Sequence, residues 1–177
     1  ESFDLVVIGV SGPGHLEAGS LVHIEWTIAN RGTEAFTGPW HDAIYLRNDA
    51  TGRRIAVGEP LVGRNLTLGP GQRQLVGVDV RVPGGVAGDY TWVVVANSRG
   101  DIFEGANSSN NEGDAALASS LTLPVIALDG ASVTSAFSAQ EEPHWFQCTA
   151  PVGKDVRFDL GLLGSQGVTE LYVGRGF

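Results

Sequence analysis

Cys148 is the only cysteine in the 177 residues. One sulfur can neither close an internal disulfide nor supply a multi-cysteine zinc site. Methionine is absent altogether. No apolar run approaches the roughly 20 residues that carry a helix across a bilayer, so direct membrane insertion is not expected. Positive charge is scarce too, with 11 Lys and Arg against 20 Asp and Glu and a formal net charge of −9. A chain so charged repels phosphate backbones, and nucleic acid is not an expected partner. Helical periodicity is missing as well. No segment sustains apolar residues at spacings of three and four for three turns, although 112–118 has room for one short turn.

What the sequence holds is apolar residues and glycine. Hydrophobic residues make up 42% against 18% charged, enough to pack a core and too little charge for a disordered tail. The 25 glycines point to many tight turns between short strands. The fold class expected is all-β. The first residues, Glu1-Ser2-Phe3-Asp4, are neither a signal peptide nor an initiator methionine, so the chain is expected to be a piece of a longer polypeptide.

Apolar and polar residues alternate in short runs bounded by Gly, Pro, Asn and Asp, the period of a half-buried strand. Between residues 21 and 30, Val22, Ile24, Trp26 and Ile28 point one way, and His23, Glu25 and Thr27 the other. Further strands are predicted at 4–10, 42–48, 54–57, 61–68, 72–82, 90–97 and 117–123. Val76, Val78, Val80 and Val82 form an inward stripe. About eight strands at this spacing predict an immunoglobulin-like Greek-key β-sandwich over residues 1–124. Gly12-Pro13-Gly14, Gly69-Pro70-Gly71 and Pro83-Gly84-Gly85 supply its reversals. After Pro124 a second pattern opens, with strands predicted at 131–137, 144–149, 155–160 and 170–173. These make half of a further unit, so residues 125–177 are expected to be a partial second β-sandwich, cut short.

Three stretches are similar to the CARDB family, the bacterial cell-adhesion-related domain: Asp4-Leu5-Val6-Val7, the run from Val22 through Trp26 to Asn30-Arg31-Gly32, and Trp40-His41-Asp42-Ala43-Ile44-Tyr45-Leu46. Gly88-Asp89-Tyr90-Thr91-Trp92 and Ile102-Phe103-Glu104-Gly105 with the following Asn107, Asn110 and Asn111 match as well. The resemblance spans 4–123. It implies an immunoglobulin-like sandwich, without catalysis, in large secreted or surface-attached proteins. Asn97 and Ser108-Ser109 depart from the family pattern, which commonly has an acidic residue there. Residues 131–177 resemble the start of the bacterial pre-peptidase C-terminal domain, on Glu141-Glu142-Pro143-His144-Trp145-Phe146 and Glu170-Leu171-Tyr172-Val173-Gly174. His144 stands where that family usually has an aspartate.

No catalytic residue is expected. His15, His23, His41 and His144 adjoin neither a Gly-x-Ser-x-Gly elbow nor a cysteine motif, and no glycine-rich segment is followed by the lysine or helix of a phosphate loop. One candidate site remains, the acidic and amide cluster between Asn97 and Asp114. Hard oxygen ligands of this kind suit calcium, and Asp42, Asp101, Glu104, Asn107 and Asn111 are its candidate ligands, if the loop of Asp42 shares one end of the sandwich with that of Glu104. The competing reading is structural, since asparagine stabilises turns by bonding nearby backbone. Asn97, Asn110, Glu112 and Asp114 complete the cluster. Trp26, Tyr90 and Trp92 are expected in the core, with Tyr90 as a tyrosine corner. Either Trp145 or Phe146 is expected to meet the first sandwich. Cys148 is expected to act as a small buried hydrophobe.

The function expected is that of a non-catalytic adhesion or spacer module of a secreted or cell-surface protein. Its partners would be neighbouring domains of the same polypeptide, another surface protein or a polysaccharide. The alternatives are an accessory domain of a secreted hydrolase, such as a peptidase, and a carbohydrate-binding module, which needs exposed coplanar aromatics.

Overall fold

The computed structural model describes residues 2–137, 143–164 and 168–174. Its strands in chain order are β1 (Leu5–Ser11), β2 (His15–Glu17), β3 (Leu21–Asn30), β4 (Phe36–Thr37), β5 (Trp40–His41), β6 (Ala43–Asn48) and β7 (Arg54–Gly58). They continue with β8 (Leu61–Val62), β9 (Thr67–Leu68), β10 (Arg73–Arg81), β11 (Gly88–Val95), β12 (Glu112–Asp114) and β13 (Ser119–Thr122). A 3₁₀ helix at Gly105–Asn110 is the one helical element among the described residues, where no helix is long and apolar enough to cross a membrane.

The strands build an all-β, immunoglobulin-like sandwich. One layer is the antiparallel sheet β1-β3-β10. The other runs β2-β13-β11-β6-β7, with β12 also on β11. Two further antiparallel pairs form, β4-β9 and β5-β8. The period-two pattern explains the register. Val22, Ile24 and Trp26 on β3 sit opposite Val80, Val78 and Val76 on β10, so the inward residues of both strands share one face. On the facing layer, Trp92 lies opposite Leu46 and Val94 opposite Ile44.

Between the layers Ile24, Trp26, Ile28, Ile44, Leu46, Trp92 and Val94 are all buried, each contributing about 2 kcal/mol or more of apolar burial. Tyr90 is the expected corner: its hydroxyl donates to the Val86 carbonyl at 2.8 Å, four residues back. The Gly69-Pro70-Gly71 reversal has Gly71 at φ +74° and the Gln72 N–H on the Gly69 carbonyl, the geometry of a type II turn.

Two local expectations change. The strand predicted at 61–68 is broken into β8 and β9 by a turn in which Gly63 and Asn65 take φ +68° and +60°. Trp40 is the cause, because its indole lies against Gly63 where a Cβ would come within 2.3 Å of the ring. The turn predicted at 112–118 is instead β12, whose backbone finds a ladder on Val93–Val95, and the helical turn forms just before it.

The larger change follows Pro124. Segments 131–137, 144–149, 155–160 and 170–173 form no strand, and the pairing there is a single parallel bridge between Val125 and Gln147. Alternation supplies a face to bury, but strand pairing also needs a ladder partner and an opposing layer. Neither is present for Val133, Leu160 or Val173, which stand exposed. Residues 138–142, 165–167 and 175–177 of that expected unit, with Glu141 and Glu142 of its motif, lie outside the described residues.

Candidate functional site

Asp42 lies between β5 and β6 and is wholly buried. Its position there is set by Trp40, which packs edge-on against Phe36 in the core, and by the Asp42 N–H on the Pro60 carbonyl at 3.1 Å. One carboxylate oxygen accepts from the Trp26 indole N–H at 2.8 Å, the other from the Asn97 backbone N–H at 3.0 Å. Burial pushes this carboxyl up to about 6, against the pull of the Asn97 and Trp26 donors, and the nearby Glu104 charge adds to the rise. The Trp40 indole also favours the anion, though its Nε1 does not reach hydrogen-bond geometry with any partner.

Glu104, also buried, precedes the 3₁₀ helix. Its Oε2 accepts from the Leu5 N–H at 2.6 Å, and its Oε1 from Asn97 Nδ2 at 2.6 Å and Asn111 Nδ2 at 2.8 Å. Asn97 follows β11 at φ +50°, a left-handed position that asparagine tolerates. Its amide further bonds the Ile102 carbonyl and N–H. Asn111 is held by a double link to Ala96, through its side chain at 3.1 Å and its carbonyl at 2.9 Å. Asn97 thereby joins the two acids, giving its backbone N–H to Asp42 and its side chain to Glu104. Residues from five separate stretches, at positions 5, 26, 42, 97–104 and 111, meet in one buried knot.

The other candidates lie outside this knot. Asp101 accepts from both the backbone N–H and Nδ1 of His41 at 2.8 Å, and those bonds hold its carboxyl below the usual range. Asn107 donates to the Phe3 carbonyl and Asn110 to Asp4, tying down the segment before β1. Glu112 forms a two-pronged pair with Arg54, and Asp114 pairs with Arg47. The structure therefore brings together Asp42, Glu104 and Asn111, with Asn97, and sets Asp101 and Asn107 elsewhere.

Calcium takes about six to eight oxygens. Both oxygens of Asp42 and both of Glu104 accept N–H bonds, and an N–H aimed at a carboxylate repels a cation at the same lone pair. Asn111 Oδ1 is the buried side-chain oxygen of this group without a hydrogen-bond partner. Among the described residues no group of three or more His, Cys, Asp or Glu could hold a metal ion. As arranged, these residues do not fit calcium; they fit a strut that fixes loops to strands. Sequence reasoning missed Trp26 as the donor to Asp42 and Leu5 as a donor to Glu104. An inward tryptophan offers its N–H as a signal, whereas a backbone N–H offers none.

Trp26, Trp40 and Trp92 are buried, so none can form part of a sugar-stacking face. Trp145 is 43% exposed and rests on Gly84, where a Cβ would come within 2.4 Å of the indole. It is the expected aromatic contact with the sandwich, while Phe146 is half-buried beside it. Gln147 secures the same segment by bonding the Leu123 and Pro124 carbonyls. Nearby, Ser135 Oγ lies 2.5 Å from His144 Nδ1. Cys148 is half-buried.

No protein-family model matches the sequence, and neither does any curated protein. Solved structures do show likeness. The CARDB domain of a Pyrococcus furiosus protein, crystallised in complex with di-metal ions, is 19% identical, with a TM-score of 0.46 over 69% of this chain and 90% of that one. A β-glucosidase from Erythrobacter marinus is 14% identical, with a TM-score of 0.42 over 68% of this chain and 16% of that enzyme. A β-glucosidase from Listeria innocua in complex with glucose is 18% identical, with a TM-score of 0.38 and the same coverages.

Proposed function

We propose that this chain is a non-catalytic spacer or adhesion module of a secreted or cell-surface protein, holding neighbouring domains or a surface ligand at a fixed geometry. The observation that supports this reading most directly is the buried knot. Each oxygen of Asp42 and Glu104 accepts at least one N–H, the donors coming from positions 5, 26, 97 and 111, so both acids serve to tie distant segments of chain together. Such a knot stiffens one end of a sandwich, the property a spacer needs. The burial of Trp26, Trp40 and Trp92 favours contact with protein over stacking on sugar.

The test pairs two measurements on the purified chain. Ester, peptide and glycoside probes are expected to show no turnover above buffer, and a glycan array to show no signal. Turnover that disappears in Ser135→Ala would overturn the non-catalytic reading, because Ser135 and His144 form the shortest hydroxyl–imidazole contact among the described residues. A positive array would overturn the preference for protein partners.

A further inference from the structure

The nine-residue strand β10 is the outer strand of its layer, paired with β3 on one side. Backbone bonds from Asn30 to Gln72 and from Val82 to Ser20 set the phase of that ladder. Even-numbered residues of β10 therefore bond β3, and Leu75, Gly77 and Asp79 turn their backbone groups outward. Among the described residues, only the Leu75 carbonyl of these groups is bonded, by the neighbouring Gln74 amide. A groove of about 460 Å³ runs beside Gln74, Leu75, Val76, Gly77 and Val78 and separates this edge from the turn between β8 and β9. Val76 and Val78, on the core side of the edge, are only half-buried, and Leu75 on the outer side is 55% exposed. Exposed strand edges are usually blunted by charge. Here the charges do not simply repel.

We propose that β10 pairs edge to edge with β10 of a second copy of this chain, antiparallel and centred on Val76. Side chains opposite one another in an antiparallel ladder share a face, so the register can be tested residue by residue. Centred on Val76, Arg73 faces Asp79 of the other copy at both ends, and Leu75 faces Gly77. Gly77 has no side chain of its own, and the His23 ring of β3 lies over it, where a Cβ would come within 2.8 Å, so Leu75 would pack beside that imidazole. Val76 meets its own copy on the core side, and Gln74 meets Val78, which covers the two half-buried valines. Centring on Gly77 instead puts Arg73 against Arg81 and Leu75 against Asp79. Centring on Leu75 leaves Asp79 against Gly71 and forfeits both charge pairs. The order Arg73, Leu75, Gly77, Asp79 thus selects one two-fold arrangement.

Sedimentation equilibrium of the full chain at low salt tests this, with Arg73→Asp, Asp79→Arg and the double exchange as variants. Arg73 and Asp79 are exposed, and Asp79 bonds only exposed His23, so the fold should survive and far-ultraviolet dichroism checks that it does. The wild type is expected to dimerise. Each single reversal turns two attractive pairs into repulsive ones and is expected to weaken the dimer at least ~10-fold. The double exchange restores the pairs across the two-fold axis and is expected to recover wild-type affinity. A wild type that stays monomeric at the highest attainable concentration overturns the proposal. So does a dimer indifferent to both single reversals, since its interface would lie elsewhere.

Discussion

Residues 5–122 and residues 125–174 carry the same surface signal, apolar residues at every second position with an occasional tryptophan, and yet among the described residues only the first region forms sheets. The difference lies in what each alternating run meets. In the first region Trp26 and Trp92 face each other's layers and every long strand has a ladder partner. In the second, Trp145 lies on the side of the finished sandwich and Gln147 makes a single bridge, while Leu160, Leu171 and Val173 face solvent. Period-two hydrophobicity is a condition for a strand, and a partner edge with an opposing layer completes it.

The sharpest way to break this contrast is to truncate one tryptophan from each region. Trp92→Ala is expected to destabilise the chain by about 4 kcal/mol, measured by urea unfolding, because it opens a cavity between the layers. Glu104→Leu comes next, at about 3 kcal/mol, since it strands the Leu5 N–H and two buried amides without an acceptor. If that variant were as stable as the parent, the knot would not be what secures the loop end.

Acid has a smaller effect of unusual sign. The folded Asp42 carboxyl titrates near 6, above its unfolded value of 3.8, so the folded state binds the proton more tightly. The contribution of Asp42 to stability is therefore lowest above pH 6, grows as pH falls through 6, and is complete below 3.8. Between pH 7.5 and 5 the gain is about 1 kcal/mol, and Asp42→Asn should flatten that slope in parallel urea titrations. A wild-type curve that falls over the same interval would mean that the groups with lowered values, Asp101, Glu112 and Glu59, dominate instead.

Trp145→Ala should cost less than about 1 kcal/mol, being a partly exposed contact outside the core. A loss equal to that of Trp92→Ala would erase the distinction between the two regions. Least of all is expected from calcium: the melting temperature in millimolar calcium and in chelator should coincide, because the buried oxygens already accept N–H bonds. An upward shift with calcium would show that Asp42, Glu104 and Asn111 rearrange to receive a cation.

Much of the sandwich was readable in advance from particular residues. Val22, Ile24, Trp26 and Ile28 named the inward face of β3, the stripe ending at Val82 named that of β10, and Gly69-Pro70-Gly71 named the reversal before it. The break of 61–68 was not readable, because it depends on the Trp40 ring, more than twenty residues away in sequence, pressing on Gly63. The candidate site was readable only as a list of oxygens. Asp42 and Glu104 do share one end of the sandwich, as their loops allowed, but Asp101 turned to His41 and Asn107 to Phe3.

By itself, then, the sequence determined the all-β class, the glycine–proline reversals and the inward faces, since those follow from side-chain period and backbone freedom within a few residues. Tertiary structure alone decided which alternating runs became strands and what the buried acids hold. Both depend on hydrogen-bond partners brought from distant positions, such as Leu5 to Glu104, and no local pattern encodes where a distant N–H will arrive.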